Sequence, residues 1–226
     1  MYENLLRLPY FQGMNKNDLT SILDKVKLEF LHFTNNETII AQGSKCEKFV
    51  ILMNGEIEAE SVSDDKSYRL NEIHRAPHAI EPYSLFGGNT CYIRNYTAKG
   101  ECDILSIEKS YLFSEFKKHN IFMINMLNII SRRAQALNER IWSNRTDSIE
   151  QKIINFVALR AESLNGTKRL CIKMERLGEL LDETRINISR TLNNMQEKGL
   201  IELSRKEILI PNFEKLPLDA INKQRI

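Results

Sequence analysis

The chain has 226 residues, 42% hydrophobic and 27% charged, with a net charge of +2. That is enough sequence for one or two globular domains, and it contains no run of about 18 apolar residues that would span a membrane. The charge is uneven: residues 1–108 carry 11 Lys/Arg against 16 Asp/Glu (−5), residues 109–144 carry 6 against 2 (+4), and residues 145–226 carry 15 against 12 (+3). An acidic front and a mildly basic back fit a sensor joined to a DNA-binding module, although so small an excess does not establish nucleic-acid binding by itself. No basic-then-apolar leader opens the sequence, so the expected location is the cytoplasm. Cys46, Cys91, Cys102 and Cys171 follow neither CxxC nor metal-ligand spacing and read as small core residues in a reducing compartment.

Residues 2–27 read as helical in two pieces, the second capped by Asn15 and carrying Leu19, Ile22, Leu23 and Val26 at helical spacing. From Leu28 the period changes. Short runs rich in Phe, Ile, Val and Tyr alternate with turn residues: Leu28–Phe33, Thr38–Ala41, Phe49–Met53, Glu56–Val62, Ser67–His74, Tyr96–Lys99 and Asp103–Ile107. Asn54-Gly55 is the strongest hairpin signal among the turns. Seven or more strands at this spacing predict a compact antiparallel roll or sandwich. No internal repeat or low-complexity tract interrupts it.

Glu108–His119 reads as a short helix and Asn120–Asn144 as a long one. Met123, Leu127, Ile130, Ala134, Leu137 and Ile141 fall at alternating steps of four and three, the seam of a self-associating helix. Ile121, Ile124 and Ile129 lie off the seam, where they can pack on the roll. Residues 143–147 break the pattern as a hinge. Ile149, Ile153, Phe156, Val157, Arg160 and Leu164 make another helix, ended by Asn165-Gly166, and Arg169–Ile172 reads as a short strand.

The stretch Lys173–Pro211 organises the rest. Met174, Leu177, Leu180 and Leu181 form a short helical run, interrupted by Asp182-Glu183-Thr184. Asp182 suits a left-handed turn position and Thr184 an N-cap. The second run buries Ile188, Leu192 and Met195 at i, i+4, i+7 and stops at Gly199. Arg185, Asn187, Ser189, Arg190 and Asn193 lie off this stripe, where a major groove would lie. Leu200–Leu203 and Ile208–Ile210 read as two strands joined by Ser204–Glu207. Helix, tight turn, helix and hairpin make a winged helix-turn-helix. Arg185 and Arg190 are placed for base edges or nearby phosphates, and Lys173, Arg205 and Lys206 for the backbone.

In this order the roll, long helix and winged helix-turn-helix resemble the Crp/Fnr family of bacterial transcription regulators. The likeness covers essentially the whole chain. It is carried by Leu177-Gly178, Thr184–Arg190 and Gly199-Leu200-Ile201, and by Phe49–Ile57. The resemblance implies an α+β fold: a cyclic-nucleotide-binding-like roll over residues 1–119, a dimerisation helix over 120–144 and a winged helix-turn-helix over 145–226. It also implies a homodimer on palindromic promoter DNA, RNA polymerase as a partner, and a small signal acting through the roll. Leu85-Phe86-Gly87, Ala98 and Cys102–Ile107 are similar to the region of the family's effector pocket, which places Leu85, Phe86, Gly87, Tyr92 and Arg94 there. The sequence departs from the family at two places. Ile186 stands where the recognition helix often has a glutamate that accepts from cytosine N4; isoleucine can only touch a thymine methyl. Ser84–Asn89 lacks the acid that takes a ribose hydroxyl, and Tyr92-Ile93 stands where the family's nucleotide binders have Arg-Ser for the phosphate. Arg94, two residues on, is the remaining cation. Tight cyclic AMP binding is therefore not expected.

The sequence contains no GxSxG, Walker loop or HExxH, so an enzyme is not expected. The cysteine cluster of the family's iron–sulfur sensors is missing. Haem remains open, because one or two axial ligands suffice and His74, His78, Cys91 or a methionine can supply them. The alternative of another class is an effector-binding or protein-interaction module whose winged helix does not contact DNA.

Overall fold

The computed structural model describes residues 2–142 and 148–217. The hinge expected at 143–147 and the side chain of Ile141 lie outside the described residues. Helices α1 (Tyr2–Leu6) and α2 (Lys16–Leu23) open the chain. The Asn15 Oδ1 accepts the Asp18 N–H at 2.8 Å and so caps α2. Eight strands follow: β1 (Leu28–Phe33), β2 (Thr38–Ile40), β3 (Lys48–Asn54), β4 (Glu56–Val62), β5 (Tyr68–Arg75), β6 (His78–Ile80), β7 (Asn95–Ala98) and β8 (Cys102–Glu108). Then come α3 (Lys109–Ser114), α4 (Asn120–Trp142), α5 (Ile149–Arg160), β9 (Lys168–Ile172), α6 (Met174–Leu181), α7 (Arg185–Glu197), β10 (Glu202–Ser204) and β11 (Glu207–Ile210). Among the described residues no helix is long and apolar enough to cross a membrane.

The chain divides into two compact units, the first from Met1–Ala59 and His74–Gln135, the second from Glu60–Ile73 and Ala136–Ile226. In the first, an antiparallel sheet of order β1-β8-β3-β6 shares one core with β2, β4 and β7. Phe49, Ile51, Leu52, Ile57, Tyr96 and Leu105 are fully buried there. Asn54-Gly55 is not a hairpin: β3 pairs with β6 and β8, whereas β4 pairs with β5 and β7. The turn carries the chain from one sheet to the other. A side chain at Gly55 would strike the Glu101 carbonyl oxygen, and its φ of +85° suits glycine.

Helix α4 seats Phe122 and Met126 in this core, with Phe122 5.4 Å from Phe11 and 4.7 Å from Phe116 between ring centroids. Ile121 and Ile124, expected to face the roll, are exposed. The buried stripe runs through Phe122, Met126 and Ile129 at i, i+4, i+7 instead, and Ile130 of the expected seam leans on the same core.

The second unit joins two distant stretches of chain. Its sheet has the order β10-β11-β9-β5, in which Tyr68–Glu72 of β5 pairs antiparallel with β9 from Ile172 to Lys168. Leu70 is buried in one core with Ile153, Leu170, Leu177, Ile188 and Leu192. Beside it Lys168 Nζ lies 3.0 Å from a Glu72 carboxylate oxygen, both side chains being 1% exposed. Lys168 also donates to the Asn165 carbonyl at 2.7 Å, and Glu72 accepts the Glu162 N–H at 2.8 Å. These bonds offset the desolvation of both charges. Helix α5 ends at Arg160 rather than running through Leu164, and just beyond it the Glu162 N–H is taken by Glu72.

Candidate nucleic-acid interface

The turn between α6 and α7 is as tight as a helix-turn-helix requires. A Cβ at Gly178 would lie 2.6 Å from the Glu183 carbonyl oxygen, so only glycine lets the chain close. Asp182 adopts φ +53°, and the Glu183 N–H donates to the Gly178 carbonyl at 2.9 Å. Thr184 caps α7 by accepting the Asn187 N–H at 3.2 Å. The oxygen accepts at the helix start, which leaves the Thr184 O–H free to donate to a phosphate. Gly199, at φ +69°, ends α7, with the Leu200 N–H on the Met195 carbonyl at 3.0 Å.

Because Ile188, Leu192 and Met195 face the core, the opposite face of α7 is open. Arg185, Ile186, Ser189, Arg190 and Asn193 line a shallow groove of about 560 Å³ there; Asn187 does not line it. A second groove, of about 890 Å³, gathers Lys173, Arg185, Arg205 and Lys206 with Lys66 and Arg176. Of these, Lys66 and Arg176 escaped sequence reasoning: Lys66 lies more than a hundred residues away in sequence, and Arg176 lies off the apolar run of α6 with no local signal.

The cations differ in their partners. Arg185 Nε is 3.0 Å from Glu175 Oε1. Arg176 bridges Asp65 at 2.8 Å and Glu179 at 2.9 Å. Among the described residues, no carboxylate is within ion-pair distance of Lys66, Lys173, Arg190, Arg205 or Lys206. Exposed cations with open donors, on α7 and the hairpin beside it, are suited to phosphates and to guanine O6 and N7.

The other group of expected residues lies in the first unit. Leu85 and Tyr92 are buried; Phe86 is half-buried, its ring edge-on to Phe113 at 5.7 Å. Gly87 adopts φ +98° with open space beside it. Residues 92–94 precede β7 rather than forming a strand. Tyr92 donates to the Lys48 carbonyl at 3.4 Å, whereas Arg94, 3% exposed, donates to the Tyr83 hydroxyl at 3.0 Å. The acid missing from Ser84–Asn89 stands just upstream. Glu81, fully buried at φ +39°, accepts the Ile93 N–H and the Ser84 hydroxyl at 2.9 Å each, and the Tyr96 hydroxyl at 3.1 Å. Burial pushes its carboxyl above the ordinary range, against the Ile93 N–H, the Ser84 hydroxyl and Arg94, which pull it down. The Ile93 N–H and the Ser84 and Tyr96 hydroxyls are thus turned onto the protein's own carboxylate. His74 and His78 stack at 4.3 Å between centroids and 12° between planes. Parallel rings do not oppose their nitrogens across a porphyrin, so they do not form a two-histidine haem clamp as placed.

Two family models match the chain: the cyclic nucleotide-binding domain over residues 30–119 and the Crp-like helix-turn-helix domain over residues 151–217. The CRP-like cAMP-activated global transcriptional regulator of Mycobacterium tuberculosis is 20% identical over 224 residues, covering 96% of this chain and 98% of that protein. Among solved structures, the Thermus thermophilus catabolite activator protein aligns with a TM-score of 0.49 at 13% identity, over 94% of this chain and 98% of that one. DNR from Pseudomonas aeruginosa aligns with a TM-score of 0.47 at 14% identity, over 95% of each. A cyclic nucleotide-binding domain followed by a Crp-like helix-turn-helix domain makes this chain a member of the Crp/Fnr family of transcription regulators.

Proposed function

We propose that the protein regulates transcription as a homodimer that lays α7 of each chain into the major groove of a palindromic promoter site. The observation that carries this reading is the outer face of α7. It presents Arg190 without an acidic partner among the described residues, with Asn193 and Ser189 beside it and Ile186 70% exposed at the leading end. Arg190 has the reach for guanine, the asparagine for adenine, and Ile186 for a thymine methyl. Lys173, Arg205 and Lys206 hold the phosphates on either side and set the register.

Dimerisation is supported by α4, a 23-residue helix with exposed apolar side chains. Met123 is 42% and Leu127 65% exposed, on a different side from Phe122 and Met126. A second copy of the same helix would bury this surface around a two-fold axis, matching two half-sites. RNA polymerase as a partner and the cytoplasm as location accord with family membership. The signal acts through the roll, and the donors already bound to Glu81 argue against cyclic AMP. Equilibrium binding to duplexes selected from a random library tests the reading. It expects a preference over scrambled duplexes on the order of a thousand-fold or more; equal affinity for both would reject it.

A further inference from the structure

The end of β9 is flanked by two hairpin turns. On one side β11 pairs with β9, and the Ile172 N–H donates to the carbonyl of Lys206 at the wing tip at 2.9 Å. On the other side Tyr68 of β5 pairs with Ile172, which brings the turn between β4 and β5 alongside Lys173. Each turn carries a lysine in the left-handed region, Lys66 at φ +56° and Lys206 at φ +62°. Both are exposed, and both line the groove shared with Lys173.

The β4–β5 turn is held in place. Asp65 accepts the Ser63 hydroxyl at 2.8 Å and the Ser67 N–H at 3.0 Å. Arg176 of α6 then reaches the other Asp65 oxygen at 2.8 Å and the Ser67 hydroxyl at 3.1 Å. Hydrogen bonds from Ser67 and Ser63 keep the Asp65 carboxyl well below the ordinary range. Arg176 matches this charge, while Lys66 has no acidic partner among the described residues. Asp64, also exposed at the turn, does not line the groove.

We propose that this turn is a second wing: Lys66 contacts a phosphate of the duplex on the side of β9 opposite the phosphate held by Lys206. The inference rests on the DNA reading above, and its partner is the phosphodiester backbone, not a base. Sequence preference is therefore unaffected, and the contribution is electrostatic. One phosphate contact adds about 0.9 to the slope of log affinity against log salt, which corresponds to about five-fold in affinity at 0.15 M salt.

The test uses the full-length protein, a selected duplex and an unrelated duplex of equal length, titrated over a range of salt concentrations. Asparagine is the substitution of choice because it tolerates the left-handed backbone. In the homodimer Lys66→Asn removes two such contacts, so it is expected to weaken both duplexes about thirty-fold and flatten the slope by about 1.8, with Lys66→Arg restoring it. Lys206→Asn is the control at the wing. If Lys206→Asn flattens the slope and Lys66→Asn does not, the second wing is wrong and the DNA reading stands. If neither variant changes the slope while the wild type still prefers the selected duplex, both turn contacts are wrong and the reading by α7 stands; if the wild type binds no duplex, the second wing and the DNA reading both fall.

Discussion

Arg185 Nε lies 3.0 Å from Glu175 Oε1, so the first side chain of the recognition helix is already paired with an acid on the helix before it. Both side chains are well exposed, at 67% and 58%, and such a pair is worth only about 0.2–1 kcal/mol. Transfer of Arg185 to a base or phosphate therefore costs little, while the Glu175 charge remains on the face that a phosphate backbone must approach.

This relationship separates the two arginines. Glu175→Gln is expected to tighten binding to selected and scrambled duplexes alike, by about three-fold at low salt, since it removes one repulsive charge. Arg190→Ala should cost about 1–3 kcal/mol on the selected duplex and much less on the scrambled one. Fluorescence anisotropy with both duplexes distinguishes these outcomes. An Arg190→Ala protein that still discriminates at wild-type strength would remove Arg190 from base reading.

The buried pair of Lys168 and Glu72 ties residues 60–73 into the second unit. Glu72→Leu or Lys168→Met alone leaves an uncompensated buried charge, at a cost of about 3–5 kcal/mol. The double variant should recover most of that loss. Hydrogen exchange at the β9 amides of the full-length protein is the readout, fast in either single variant and slow in the double. Wild-type protection in both single variants would show that the pair contributes nothing to this sheet.

Leu127→Asp tests the dimer. At 65% exposure in one chain the aspartate costs the fold little, whereas at a helix–helix seam an unpaired charge costs several kcal/mol. Sedimentation is expected to show a monomer, or a much weaker dimer, with loss of tight operator binding. A wild-type protein that sediments as a monomer at micromolar concentration would remove the basis for the seam.

Much of the interface was legible in the sequence because its signals are local. Thr184 as cap, Asp182 in the left-handed turn, Gly199 at the helix end and the stripe Ile188, Leu192, Met195 depend on neighbours within a few residues. What the sequence did not reveal depends on long-range pairing. Asn54-Gly55 has the chemistry of a hairpin, yet its flanking strands find partners elsewhere. Residues 60–73 read as an ordinary pair of strands, but their pairing with β9 joins them to the DNA-binding unit. Glu81 sits next to Pro82 in an apolar stretch, and only folding brings the Ile93 N–H and the Tyr96 hydroxyl onto its carboxylate.

Glu81 governs the expectation for cyclic nucleotides. Loss of a ribose acceptor and of a phosphate donor should each cost about 1–3 kcal/mol, so cyclic AMP is expected to bind at least about 30-fold more weakly than at a site with both. Calorimetric titration checks this; a micromolar dissociation constant would contradict it. The same residue sets a pH dependence. Its folded pKa is raised above the ordinary 4.5, so the folded state keeps a proton that the unfolded state has lost. Stability of the first unit should fall as pH rises from about 4.5 to the folded value, then level off. Thermal unfolding of Glu81→Gln should lack that fall.

The most direct measurement is sequencing of duplexes selected by the purified full-length protein from a random library. A dimer that places one α7 in each of two major grooves predicts an inverted repeat, with half-site centres about 10 base pairs apart or at a multiple of that spacing. A single asymmetric site would contradict the two-fold arrangement, and no enrichment at all would contradict DNA reading by this helix.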